Sequence, residues 1–233
     1  MDLITVYDCT GSNLSKITIP AGVKMAGYIT GSDGVPWTAE QLATHPDAIR
    51  IDQSPQNTPA DETADVLDVE QRAATLADIP GWWHAASANY QRGVRPGQRE
   101  PLIYCNQSML TPVANALKQA GIMGGVGLWL AAEMSTADAA AKVLAGSGPW
   151  PVRGVQCAFL GDHDLSVFSA TWFNTRSKKP VTSVPGPGTQ TGWRYCWKCK
   201  SLFYGPEQED SFCGLNGRHD GSRSHEYTLG FIK

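Results

Sequence analysis

The chain predicts an α/β fold, a compact (β/α)8-type barrel with reduced helices, followed by a small separate module. Three observations carry that expectation. Eight short runs rich in β-branched and aromatic residues recur between turn residues: "LITVYD", "KMAGYI", "AIRID", "ADVLDVE", "PLIYCN", "GVGLWLA", "VRGVQCAFL" and "LSVF". Stretches of helical character separate the later runs, and such alternation favours a mostly parallel sheet or barrel. After Phe173 the composition changes abruptly to "NTRSKKPVTSVPGPGTQTG", whose Pro, Gly, Ser and Thr without apolar periodicity read as a linker.

The helical stretches are "TLADIPGWWHAASANYQRG", "SMLTPVANALKQAG" and "STADAAAKVLAG". The last two end in Gly, as helix C-termini often do, and Ser135 or Thr136 can cap the third. In the first, one of Trp82 and Trp83 is expected in the core and the other at a rim. The earlier connections, "TGSDGVPWTAEQLATHPD" and "QSPQNTPADET", read as loops, so a barrel of about 175 residues lacks some of its helices. The expected organisation is a barrel over 1–175, a linker over 176–192 and a module over 193–233.

With 233 residues, 42% hydrophobic and 18% charged, the chain can bury a sizeable core and has the composition of a globular protein. A net charge of -3 argues against a broad nucleic-acid-binding face, which needs a dominant Lys/Arg surface. The start, "MDLITVYDCTG", lacks a basic segment followed by an apolar run, and no window approaches the roughly 18 apolar residues of a membrane span. No export signal and no membrane span are therefore expected. Of six cysteines, Cys196, Cys199 and Cys213 lie together, whereas Cys9, Cys105 and Cys157 are scattered through apolar runs. That distribution suits one metal site plus buried thiols better than a disulfide framework.

The module reads "WRYCWKCKSLFYGPEQEDSFCGLNGRHDGSRSHEYTLGFIK". Cys196 and Cys199 form a C-x2-C pair, Cys213 follows after thirteen residues, and His219 comes after five more. Two thiolates on a tight knuckle and two later ligands complete the tetrahedron that Zn²⁺ prefers, and four protein ligands make the site structural. About 40 residues hold little core, so metal binding would supply much of the folding free energy. His225 is the other candidate for the fourth ligand. The pattern resembles a small Cys/His module of bacterial secreted and uncharacterised proteins.

The stretch "TADVLDVEQRAATL" has two readings. On a strand, Asp68 and Glu70 face one side, about 6.8 Å apart along the chain, near the spacing at which two carboxylates divide acid and base roles across a glycosidic bond. On a helix, Val66, Val69, Ala73 and Leu76 make an apolar stripe and the acids become a favourable N-terminal charge cluster. Acids at other strand ends favour the strand: Asp8 closes "LITVYD", Asp52 closes "AIRID", and Asp162 and Asp164 flank His163 before "LSVF". In a barrel such ends converge on one mouth.

The pieces "YDCTGSN", "VLDVE", "PLIYCN", "GLWLA", "VQC" and "DLSVF", in that order over residues 2 to 173, resemble glycoside hydrolase family 25, the lysozyme-like muramidases of bacteria and phages. The resemblance implies a barrel that cleaves peptidoglycan. It implies Glu70 as the acid that protonates the leaving oxygen, Asp68 as its helper, and Asp8 and Asp164 lining the same cleft. Tyr104, Trp129 and Gln156 would be wall residues that hold glycan; Asp52 is expected on the substrate side from its strand-end position alone. The sequence departs from the family pattern at "D-C-T" in the first strand and at "AIRIDQSP" ahead of the D-x-E.

The expected partner is bacterial cell-wall polysaccharide, and the expected destination is the virion or the cell wall after synthesis in a host cytoplasm. The alternative is a non-catalytic virion, tail or cell-surface protein that uses the barrel for carbohydrate binding or assembly, with other virion proteins as partners. No G-x-S-x-G elbow or phosphate-binding loop competes with these readings.

Overall fold

The computed structural model describes residues 2–31, 35–55, 63–95, 97–145, 148–176, 189–196, 202–204, 206, 213, 219, 221–222 and 226–230. The chain divides into two compact units, the larger of which is the barrel.

Eight strands close that barrel in chain order: β1 (Leu3–Cys9), β2 (Lys24–Tyr28), β3 (Ile49–Asp52), β4 (Val66–Asp68), β5 (Leu102–Asn106), β6 (Gly127–Ala131), β7 (Val152–Phe159) and β8 (Asp164–Ser169). Each overlaps one of the eight runs read from the sequence. Neighbours from β1 to β7 are parallel, but β8 is antiparallel to both β7 and β1. The reason is the connection. From β7 to β8 the chain crosses only Leu160 to His163, closed by Leu160 N–H donating to His163 O at 2.8 Å with Gly161 at φ +92°. A parallel crossover needs a dozen or more residues.

Among the described residues the helices are α1 (Ala39–Thr44), α2 (Ile79–Arg92), α3 (Leu110–Gln119), α4 (Thr136–Leu144) and α5 (Ala170–Asn174). The first falls in a stretch read as loop. Thr38 Oγ1 accepts from Gln41 N–H while Gln41 Oε1 accepts from Thr38 N–H, a reciprocal cap that starts a helix even in a Gly/Pro-rich segment. Ser135 caps α4 by accepting from Asp138 N–H at 3.1 Å, and α3 gives way to Gly121 at φ +72°. Gly146, the expected stop of α4, lies outside the described residues. On α2 both Trp82 and Trp83 are buried, the latter donating to Gly125 O at 3.1 Å, so neither lines a rim; His84 is exposed.

Strand alternation sorts the interior into layers. Ile4, Val6, Ala26, Ile49, Ile51, Val66, Leu102, Trp129 and Phe168 fill the barrel, and Trp172 and Phe173 of α5 pack against them from the end opposite the mouth. Burying each such side chain stabilises by about 1.5–3 kcal/mol. The fit depends on a glycine: a methyl on Gly154 would stand 2.4 Å from Phe168 Cε1.

At that closed end Asp65, fully buried, holds the starts of β3 and β4 together. Arg95 Nη2 lies 2.5 Å and Arg99 Nη1 3.6 Å from Asp65 Oδ2, Arg99 N–H donates to Oδ1 at 2.7 Å, and Arg50 N–H donates to Oδ2 at 3.0 Å. Arg99 also stacks over Phe173 at 4.1 Å, and burial pushes its guanidinium down to about 10.

The second unit carries a three-stranded antiparallel sheet, with β9 (Thr189–Tyr195) between β10 (Leu202–Tyr204) and β11 (Glu226–Gly230). The first four residues of β9 belong to the stretch whose composition reads as linker; residues 177–188 of that stretch lie outside the described residues.

Candidate functional site: a carboxylate-lined barrel mouth

The top interior layer is polar. Asp8 on β1, Asp68 on β4, Tyr104 on β5, Gln156 on β7 and Asp164 on β8 all follow the inward parity of the core residues beneath them, at the end where the parallel strands finish and β8 begins. Register makes Asp8 the direct partner of Asp164 and Asp68 the direct partner of Tyr104. In such barrels this end carries the chemistry.

Asp8 and Asp164 are joined by a side-chain hydrogen bond. Burial pushes Asp8 well above the ordinary carboxylate range, and the charges of Asp164, Asp68 and Glu70 push it further. Asp164, half-buried, is also raised by burial, but hydrogen bonds from Gln156 and Asp8 and the nearby His163 pull it back down. Of the two, Asp8 is held further towards its protonated form. Tyr104 O–H donates to Gln156 Oε1 at 2.6 Å, which leaves the Gln156 amide N–H for Asp164.

The D-x-E segment is strand, not helix, but only as far as Asp68. Val69 N–H still pairs with Tyr104 O at 2.9 Å, and Glu70 stands in the bend beyond. Ala73 N–H donates to Glu70 O at 3.1 Å and Ala74 N–H to Asp68 O at 3.0 Å, a turn that forces Arg72 to φ +71°. A left-handed Arg costs about 1–2 kcal/mol, and such strain gathers at functional sites. Asp68 is buried and accepts from Gln53 Nε2 at 2.9 Å, whereas Glu70 is half-buried and borders a cavity of about 570 Å³ with Val69, Asn106, Ser108 and Met109. After burial, the Glu70 charge is the largest influence holding the Tyr104 phenol above its ordinary value.

Two expected substrate residues are placed elsewhere. Asp52 faces away from the barrel interior, because Ile49 and Ile51 of the same strand point in; it accepts from Thr30 Oγ1 at 2.5 Å and Ser54 N–H at 3.1 Å and braces the loop after β3. Trp129 is 1% exposed, donates to Ser166 Oγ at 3.2 Å and meets Tyr104 edge-on at 5.1 Å, so it backs the mouth from below. Its ring offers no face to a ligand.

Sequence reasoning missed Tyr28 and Gln53. Tyr28 ends β2 on the inward parity, and burial and the charges of Asp8 and Asp68 hold its phenol far above the ordinary value. Its strand-end position was the available signal. Gln53 follows β3 directly and carried none. Cys105 faces outward behind the ring, and burial with the charges of Asp68 and Glu70 pushes its thiol up to about 12.

In the second unit, Cys196, Cys213 and His219 bring one ligand atom each within 4.8 Å of one another. The two sulfurs are 3.9 Å apart, too far for the roughly 2.05 Å of a disulfide. It matches the edge of about 3.8 Å that follows from Zn–S bonds near 2.3 Å in a tetrahedron. Phe203 stacks on His219 with centroids 4.8 Å apart and holds the imidazole in place. Cys199 and His225 lie outside the described residues.

No protein-family model and no curated protein matches the chain. Among solved structures, an uncharacterized B. stearothermophilus protein is similar to it at 11% identity and a TM-score of 0.43, over 72% of this chain and 97% of that one. The bacterial lysozyme from Streptomyces coelicolor is similar at 14% identity and a TM-score of 0.41, over 73% of this chain and 95% of that one.

Proposed function

We propose that the barrel is a glycoside hydrolase of bacterial cell-wall glycan, with Glu70 as proton donor and Asp68 as its helper. The observation that carries this reading is the group of acids at the mouth, where the buried Asp8 and Asp68 and the half-buried Asp164 share the inward layer and the half-buried Glu70 follows Asp68 in the chain. Hydrolysis of a glycosidic bond asks for one acid that reaches the leaving oxygen and for negative charge beneath the sugar ring as it turns cationic. That Glu70 borders a cavity supports the first role for it. The carboxylates of Asp68 and Asp164 serve the second, held by hydrogen bonds from Gln53 and Gln156. Water then adds to the anomeric carbon and loses its proton to one of these carboxylates. The family resemblance of the ordered motifs points the same way.

Release of soluble reducing sugar from purified peptidoglycan tests this. Release by the wild-type chain supports hydrolysis. Retention of the glycan without release would assign the barrel to carbohydrate binding or assembly in a virion or cell-surface protein.

For the second unit the proposal is a structural Zn²⁺ held by Cys196, Cys199, Cys213 and His219. The sulfur separation and the pre-stacked imidazole support it. Bound there, the ion would supply folding free energy to a small sheet and no chemistry to the mouth.

A further inference from the structure

Gln53 stands one residue past the end of β3, and the pairing of Asp52 with Leu67 brings it beside Asp68 at the end of β4. It keeps the parity of Ile51, so its side chain shares the inward face with Asp68. There its amide Nε2 donates to Asp68 Oδ2 at 2.9 Å, out of reach of water: Gln53 is 7% and Asp68 1% exposed. The direction of the amide is fixed, because the opposite one would set Oε1 against the carboxylate. Oε1 is buried with no partner among the described residues. A buried acceptor left unpaired costs stability, so packing alone would favour an apolar side chain of this size. What the amide supplies in return is its N–H on Asp68.

Gln53 lies beyond the last ladder pair of β3, and a side chain orients its backbone. Gln53 N–H donates to Thr30 Oγ1 at 3.0 Å, and Ser54 N–H donates to the same oxygen at 3.2 Å. Two accepted hydrogen bonds fill the lone pairs of that hydroxyl, so its one proton is directed to Asp52 Oδ1, 2.5 Å away. Such a length is that of a hydroxyl donating to a charged carboxylate. Asp52, fully buried and facing out of the barrel, also accepts from Ser54 N–H at 3.1 Å. The contacts run from Asp52 through Thr30 and Gln53 to Asp68, and they join the ends of β2, β3 and β4.

We propose that Gln53 is a positioning residue: its amide sets the Asp68 carboxylate for the reaction, and Thr30, anchored on the outward Asp52, sets the amide. The proposal rests on the glycan-hydrolase reading of the mouth, in which Asp68 helps Glu70. A displaced carboxylate loses its alignment in the transition state more than it weakens substrate binding, so the effect falls on kcat rather than KM.

The test is initial rates on soluble peptidoglycan, with kcat and KM read separately at a temperature well below every thermal melt. It compares full-length wild type with Gln53→Leu, Thr30→Val, Thr30→Ser and the Gln53→Leu, Thr30→Val pair. Leu removes the amide at similar size, Val keeps the branch of Thr without its hydroxyl, and Ser keeps the hydroxyl. The expected kcat is about tenfold lower in Gln53→Leu and about threefold lower in Thr30→Val, with KM within about twofold of wild type in both. Thr30→Ser is expected near wild type, and the pair no lower than Gln53→Leu alone, because Thr30 acts through an amide that is already gone. Wild-type turnover with kcat unchanged in Gln53→Leu overturns the proposal. So does a Thr30→Val loss that Thr30→Ser fails to restore, or one that multiplies with Gln53→Leu. Each of these leaves the hydrolase reading standing, whereas no wild-type turnover overturns both. If Gln53→Leu does not fold, Thr30→Val against Thr30→Ser decides alone.

Discussion

Tyr104 donates its phenolic hydrogen to Gln156 Oε1 at 2.6 Å, across the strand that separates them, and so fixes which end of the Gln156 amide meets Asp164. One orientation follows from another: an N–H on Asp164 favours its carboxylate form, while Asp8 is held further towards its protonated form. Gln156→Leu removes that N–H, so the Asp164 pKa rises further. The acidic limb of the pH–rate profile is expected to move to higher pH, with kcat down about tenfold. Tyr104→Phe, which frees the amide to turn over, is expected to move the limb the same way by less. A limb unchanged in both variants would separate this chain of hydrogen bonds from the reaction.

Asp8 predicts a pH dependence of stability. Its folded pKa is raised above the value of a free carboxyl, so the native state binds more protons than the unfolded one between the two values. Its contribution is therefore fully present below about pH 3.8 and is lost as pH climbs through the raised folded value. Asp8→Asn keeps a donor towards Asp164 without the charge. Thermal melts are expected to show the variant gaining on the wild type as pH rises, by about 2–4 °C for each kcal/mol of relieved cost.

Asp65 is the anion that two buried arginines share. Asp65→Ala leaves Arg95 and Arg99 without it and is expected to cost about 3–5 kcal/mol in urea unfolding. A loss below 1 kcal/mol would show that the arginines are satisfied by carbonyls, of which Arg99 already has Phe173 O at 3.2 Å and Asp47 O at 2.7 Å.

For the second unit, elemental analysis of protein purified without chelator is expected to give about one zinc per chain. Chelation or Cys196→Ser is expected to abolish the unit's own unfolding transition while the barrel transition stays. Protein without zinc, and a transition indifferent to both treatments, would remove the metal from the account.

Much of the barrel is legible in the sequence because each strand is a short run with turns on both sides, and the closed order β1 to β8 follows the chain. The antiparallel β8 is legible in the loop length: four residues cannot carry a parallel crossover. Parity decides the misplaced residues. Asp52 and Asp68 both end strands, yet one faces out and the other in, and only the pointing of Ile49, Ile51 and Val66 tells them apart. Trp129 was expected at a wall and is core, since its ring is buried between Tyr104 and Phe168. The register slip between β7 and β8 and the left-handed Arg72 have no sequence signature, because both arise from pairing between strands or from a turn closed by them.

Hydrolysis at this mouth depends on Glu70 delivering the proton. Initial rates of reducing-end release from purified peptidoglycan by wild type and Glu70→Gln, with matched thermal melts, test it most directly. A fall of about 10²-fold or more in kcat with the melting temperature unchanged is expected. A Glu70→Gln protein that turns over near the wild-type rate would contradict it.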